Sequence, residues 1–212
     1  MVKLLEKRIA VVKDKNKLKI LAVIVVFAVW SVRVITLNVG GDLKNEYTKE
    51  IYDQGDVVRF ENNMSPGLYE YEGYSLRVEN CDILDTSAYM ETLGIETGKA
   101  STLISEKIIE LSVEISNYGD KNEEGVVFSS FSVYGLDWYT YPNSEVTGYA
   151  NEIFENEPAY GIVVPYGQTA KVKVIYPLFK EGMSDKRWAN IQNEPIYMDL
   201  TFKPKALTIK LN

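Results

Sequence analysis

From residue 57 onward the apolar positions of this chain recur every second residue, the period of a strand and not of a helix. Ile109, Leu111, Val113 and Ile115 alternate with Glu110, Ser112, Glu114 and Ser116, which predicts a strand with one buried and one wet face. The same alternation runs through Val172, Val174 and Tyr176, through Ile196, Met198, Leu200 and Phe202, and through Leu207, Ile209 and Leu211. Val127, Phe131 and Val133 predict another strand, and Val58 and Phe60 open the series. Leu76 and Val78 change phase to Cys81 and Ile83, which predicts a bulge near Asn80. Asn117-Tyr-Gly-Asp120, Glu124-Gly125, Pro165-Tyr-Gly167 and Lys203-Pro204 punctuate the runs as turns, with Pro177 and Pro204 expected at strand ends. Short helices are expected at Thr86–Leu93 and Ser184–Ile191. The expected fold is an all-β sandwich of about seven to nine strands over residues 57–212.

The first 56 residues follow other rules. Ile20 to Val39 is an apolar run with Arg33 as its one charge, the length of about 20 residues that a membrane-crossing helix needs. Trp30 lies within it, and Arg33 is placed to snorkel toward the headgroups. A cleaved signal peptide would use Ile20–Val32 as its core, but no small-x-small site follows it. A buried helix of a soluble domain would carry a polar face, which this run lacks. The expectation is one N-terminal transmembrane anchor. Residues 1–19 hold seven basic residues against two acids, whereas residues 40–212 hold 15 bases against 28 acids, a net −13. By the positive-inside rule residues 1–19 form a cytoplasmic tail and the C-terminal part lies outside the cell membrane. The polar stretch 40–56 reads as a stalk.

Composition removes several chemistries. The chain has no histidine and a single cysteine, Cys81, so a Ser-His-Asp triad, a His-liganded zinc site and an internal disulfide are excluded. The acid pairs Asp82/Asp85 and Glu155/Glu157 read as solvated surface. Asp120, Asn122 and Glu124, with Gly125, spell the first half of a calcium loop, but Phe131 stands where its closing Glu belongs. A polar hairpin turn is the simpler reading. Asn63-Met-Ser65 fits the glycosylation triplet. Tyr134, Trp138, Tyr139, Tyr141, Tyr149 and Tyr160 crowd one segment and are the candidate ligand-binding residues, with packing over the sandwich edge as the competing reading.

The runs Ile108–Gly119, Val127–Val133 and Val164–Tyr176 carry a strand ending in Asn-x-Gly and a Pro-x-Gly-x-Thr turn into a further strand. In this the chain resembles the telokin-like immunoglobulin domains of Gram-positive surface proteins and related families of unknown function. The resemblance covers about residues 74–211 and implies an extracellular immunoglobulin-like fold; it carries over no catalytic residue. The expectation is therefore a non-enzymatic, membrane-anchored module without cofactor. It would bind a neutral or cationic protein, peptide or envelope ligand, and not nucleic acid, which an acidic body repels. The alternative is an accessory subunit of a membrane transporter or secretion complex, docking through its helix, where Arg33 would find a partner.

Overall fold

A computed structural model of the protein describes residues 23–34, 48–95, 105–119, 125–155 and 157–212. The chain divides into two units, Met1–Glu46 and Tyr47–Asn212. In the first, residues 23–34 are helical (α1), and Val23, Val26, Phe27 and Trp30 are exposed along it. Among the described residues no helix is long and apolar enough to cross a membrane. The expected span is described only in part, since 20–22 and 35–39, like the tail 1–19, lie outside the described residues.

The second unit is built mostly of strands. The alternation predicted over Ile109–Ile115 becomes β6 (Lys107–Asn117), the centre of a four-stranded sheet. β6 pairs antiparallel with β5 (Tyr74–Asp85) on one side and β11 (Thr169–Leu178) on the other, and β2 (Val58–Arg59) closes the sheet beside β5. The register of β5 shifts between Val78 and Asn80, the predicted bulge. It turns Leu76 and Val78 inward before it and Cys81 and Ile83 inward after it.

A five-stranded sheet runs in the order β1 (Thr48–Asp53), β13 (Lys205–Lys210), β12 (Tyr197–Asp199), β8 (Ser132–Tyr134), β9 (Tyr139–Thr140). Its β1–β13 pair is parallel and the others are antiparallel. Leu111, Val113 and Val174 of the first sheet share one buried cluster with Val133, Met198, Leu207 and Ile209 of the second. Fully burying each such side chain contributes roughly 1.5–3 kcal/mol. Two small antiparallel pairs, β3 (Met64–Ser65) with β4 (Tyr69–Glu70) and β7 (Val126–Val127) with β10 (Gly161–Ile162), complete the strands among the described residues.

Several expectations need correction. The stalk over 40–56 gives way at Thr48 to β1, whose six residues pair one for one with Thr48↔Lys205 through Asp53↔Lys210. Polar residues suffice there because β1 is an edge strand held by its backbone; none of its residues is buried. The strand expected through Val127, Phe131 and Val133 is broken by a 3-10 turn at Phe128–Ser130, which buries both Phe128 and Phe131. The strand expected from Ile196 to Phe202 is regular only over Tyr197–Asp199. Pro177 stands one residue from the end of β11, near the strand end as expected, on an edge strand that tolerates it. The back of β6 is also drier than alternation implied. Ile108 packs there with Tyr89, Met90, Val146 and Ile175 under α2 (Thr86–Thr92) and α3 (Ser144–Tyr149), and Glu110 is buried beside them. Tyr89 Oη donates to Glu110 Oε2, and Lys173 Nζ stands 3.1 Å from Glu110 Oε1.

The turn motifs have a structural purpose. Buried Asn117 donates from Nδ2 to Val164 O (2.8 Å) and accepts at Oδ1 from Gly119 N (3.0 Å), while Gly167 N donates to Asn117 O (2.8 Å). The Asn-x-Gly and Pro-x-Gly turns thus clasp each other at one end of the domain.

Candidate functional site

The antiparallel registers put three tyrosines in one row across the outer side of the five-stranded sheet. Tyr197 on β12 pairs with Tyr134 on β8, which pairs with Tyr139 on β9. The rings of Tyr134 and Tyr197 stack at 5.6 Å. Tyr139 is 72% exposed, and its ring meets that of Tyr141 at 5.9 Å and 81°. The row is tied down by polar contacts. Lys49 Nζ donates to Tyr134 Oη at 3.1 Å, Tyr134 Oη donates to Asp199 Oδ1 at 3.1 Å, and Thr208 Oγ1 donates to the same oxygen at 2.6 Å. The hydrogen bond to Tyr134 raises the Lys49 pKa, and partial burial raises that of Tyr134, so one is a cation and the other a neutral hydroxyl at neutral pH.

At the β9 end of the row lies an open depression of about 460 Å³, lined by Tyr134, Trp138, Tyr139, Tyr141 and the carboxylates Asp137 and Asp199 among others. Trp138 is the least available of these. Its indole packs against the core and lies over Gly135, where an added Cβ would fall 2.4 Å from Nε1. Asp137 is held by Arg187, which also makes a two-bonded contact with Glu194. The loop between β8 and β9 is therefore fixed at both its Trp and its Asp.

The six aromatic candidates do not form one site. Tyr134, Trp138, Tyr139 and Tyr141 share the depression just described, whereas Tyr149 and Tyr160 line a separate one of about 440 Å³ beside Asn143 and Pro158. That second group belongs to a segment with a structural task. Thr140 Oγ1 donates to Pro177 O (2.7 Å) and Asn143 N to Ile175 O (2.7 Å). Thr147 Oγ1 accepts from Ile175 N (3.0 Å), and Asn151 both donates to Lys173 O (2.8 Å) and accepts from Lys173 N (2.7 Å). Residues 140–151 thereby cover the outer edge of β11 along three of its residues.

Tyr197 joins this surface from outside the aromatic segment 134–160. The signal was present, because the alternation of Ile196 and Met198 inward turns Tyr197 outward, but its neighbour Tyr134 is 63 positions away. Asp120, Asn122 and Glu124 lie outside the described residues, and among the described residues no group of three or more acids and cysteines can hold a metal ion. Asn63 is buried; its Nδ2 donates to Phe60 O (2.8 Å) and its Oδ1 accepts from Lys205 N (3.1 Å), so the triplet serves packing. Cys81 is partly buried, and burial pushes its thiol up to about 12. It is no nucleophile at neutral pH.

A family model decides the chain's relationship. The chain belongs to the DUF5028 family, a domain of unknown function. The match covers residues 49–206, from the start of β1 into β13, and so coincides with the strand-built unit. No curated protein and no solved structure matches this DUF5028 chain.

Proposed function

We propose that this DUF5028 protein is a membrane-anchored, extracytoplasmic, non-enzymatic recognition module with an immunoglobulin-like fold. The strand order supports the fold. β5, β6 and β11 follow the order A-B-E of an immunoglobulin sheet, and β13, β12 and β8 follow G-F-C, with β9 as an added edge. Strand D, which would lie beside E, is replaced by the covering segment 140–151. The anchor rests on the Ile20–Val39 run and on the exposed apolar residues around α1, a surface that a bilayer would cover. The basic tail supports a cytoplasmic N-terminus.

The observation that carries the recognition reading is the tyrosine row Tyr197–Tyr134–Tyr139 on the outer side of the five-stranded sheet, ending in the open depression. Tyrosine is enriched at interfaces because it offers a large rigid apolar ring with a polar tip. The full chain in nanodiscs, sedimented with isolated cell envelope, tests it. The Tyr139→Ser/Tyr197→Ser variant should bind at least tenfold more weakly while melting like the parent. Equal binding by parent and variant would remove this surface from the function.

A further inference from the structure

We infer that the end of the strand-built unit at which β1 begins rests on a phospholipid bilayer, with Leu68, Tyr69, Tyr118, Val163 and Tyr166 seated among the headgroups. The inference rests on the reading that Ile20–Val39 anchors the chain, and gives one surface of the domain a lipid partner. Those five side chains gather at one end. Thr48 opens β1 opposite Lys205, whose N donates to Asn63 Oδ1 at 3.1 Å. Met64 bridges to Lys203, which ties the β3–β4 hairpin, with Leu68 and Tyr69, to the start of β13. Phe60 N donates to Tyr74 O (3.2 Å) and Tyr118 N to Gly73 O (2.8 Å), which brings in the turn after β6. The Pro165–Gly167 turn is clasped to that one through Asn117 and carries Tyr166, with Val163 just before it. All five side chains are between 41% and 68% exposed.

The covalent chain holds this end near the membrane. Only residues 40–47 lie between the apolar run and Thr48, and that stretch spans at most roughly 30 Å when fully extended. An anchored chain therefore keeps Thr48 within that distance of the bilayer. The row Tyr197–Tyr134–Tyr139 is level with Lys210, at the other end of β13. The chemistry of the gathered side chains suits the same place. Tyrosine, with an apolar ring and a polar tip, favours the headgroup level, where one side is apolar and the other wet. The Arg59 guanidinium stands 5.4 Å from the centroid of the Tyr118 ring, with Glu61 and Glu72 also close by. Charges of both signs beside the rings match a zwitterionic headgroup, so apolar burial and not attraction to a net charge holds the contact.

The test places the full chain, labelled with fluorotyrosine, in phosphatidylcholine nanodiscs, each fluorine resonance being assigned by a Tyr→Phe variant. Lipid bearing a nitroxide on its headgroup should erase the signals of Tyr118 and Tyr166 and leave those of Tyr139 and Tyr141 sharp. A Gly/Ser insertion of about twenty residues within 40–47 then loosens the tether. The loss at Tyr118 and Tyr166 should persist, because this end holds the bilayer by its own contacts. In the lengthened chain Leu68→Asp/Val163→Asp should restore both signals while the protein melts like the parent. Leu68→Asp alone takes its place if the double variant melts early. Equal loss at all four tyrosines, sharp signals at Tyr118 and Tyr166, recovery on lengthening the tether alone, or no recovery in the folded variant overturns the inference. In each of those cases the anchor still stands if alkaline carbonate leaves the chain in the membrane pellet. Extraction by carbonate removes the anchor and this inference together.

Discussion

Asn151→Ala should be among the most damaging single polar-to-alanine changes in the domain, and its cost follows from three hydrogen bonds. Asn151 is 8% exposed. Its Nδ2 donates to Thr147 O (2.7 Å) and to Lys173 O (2.8 Å), and its Oδ1 accepts from Lys173 N (2.7 Å). Alanine removes all three and leaves both backbone groups of Lys173 without their partner on a covered strand edge. At roughly 1 kcal/mol net for each bond the loss is about 3 kcal/mol, and more where water cannot reach the orphaned groups. For a domain of this size 1 kcal/mol moves the melting temperature by about 2–4 °C, so the transition should fall by roughly 6–12 °C. Asn151→Asp keeps the shape but should not rescue, because an oxygen then faces two carbonyl oxygens. Thermal melts of the full chain measure the loss, and amide hydrogen exchange locates it: the Lys173 amide should lose protection before the amides of β6. The uncovered edge of β11 should also pair with a second copy, giving dimers that grow with concentration. A shift under about 2 °C with Lys173 protection unchanged would refute the account of segment 140–151 as an edge cover.

Three further outcomes are expected. Alkaline stability should fall between about pH 9 and about 12, because the Cys81 thiol keeps its proton in the fold at pH values where the unfolded chain releases it; the contribution is whole below 9, and Cys81→Ala should flatten that limb of a pH–stability curve. Gly135→Ala should drive the Trp138 indole off its seat, costing about 1–3 kcal/mol and shifting tryptophan emission, and an unchanged spectrum would contradict the packing described. Protease added to intact cells should digest the strand-built unit and spare the basic tail; a protected unit would reverse the proposed orientation.

What the sequence made legible was whatever depends on near neighbours. β6 and β11 follow from alternation over about six to eight residues, and the bulge at Val78/Asn80 follows from a change of phase within one strand. β1 was missed because an edge strand holds by backbone pairing and needs no apolar side chain, so Thr48–Asp53 looks like linker. The burial of Glu110 was missed for the opposite reason. Its own strand alternates as a half-wet strand should, and only the arrival of α2 and α3 from either side in sequence dries that face. The aromatic segment was found, but its division was not. Tyr134, Tyr139 and Tyr141 belong to a hairpin whose outer side is open. Tyr149 ends the short helix α3, which is oriented by bonds from Asn143 and Thr147 to Ile175, about thirty residues downstream.

The two sheets differ in what their outer sides leave unspent, and this difference supports the recognition surface proposed above. On the four-stranded sheet charges answer each other across strands: Arg77 meets Glu114 at 2.7 Å, Lys171 meets Glu79 at 2.7 Å and Lys173 meets Glu110 at 3.1 Å. Such ladders satisfy their own members and offer a ligand little that water does not already supply. Helices α2 and α3 take up another part of that side, and segment 140–151 occupies the β11 edge, where an incoming strand would otherwise pair. Among the described residues the five-stranded sheet carries no such cover over its row. Its polar contacts, from Lys49 through Tyr134 to Asp199 and Thr208, run among side chains that position the rings rather than hide them. Tyr139 and Tyr141 then stand at the end of the row with more than half of their surface in water. Leu136, 87% exposed, sits between β8 and β9 beside them. Three large apolar side chains exposed together on one rigid hairpin, Leu136, Tyr139 and Tyr141, support the proposal that this face meets a partner.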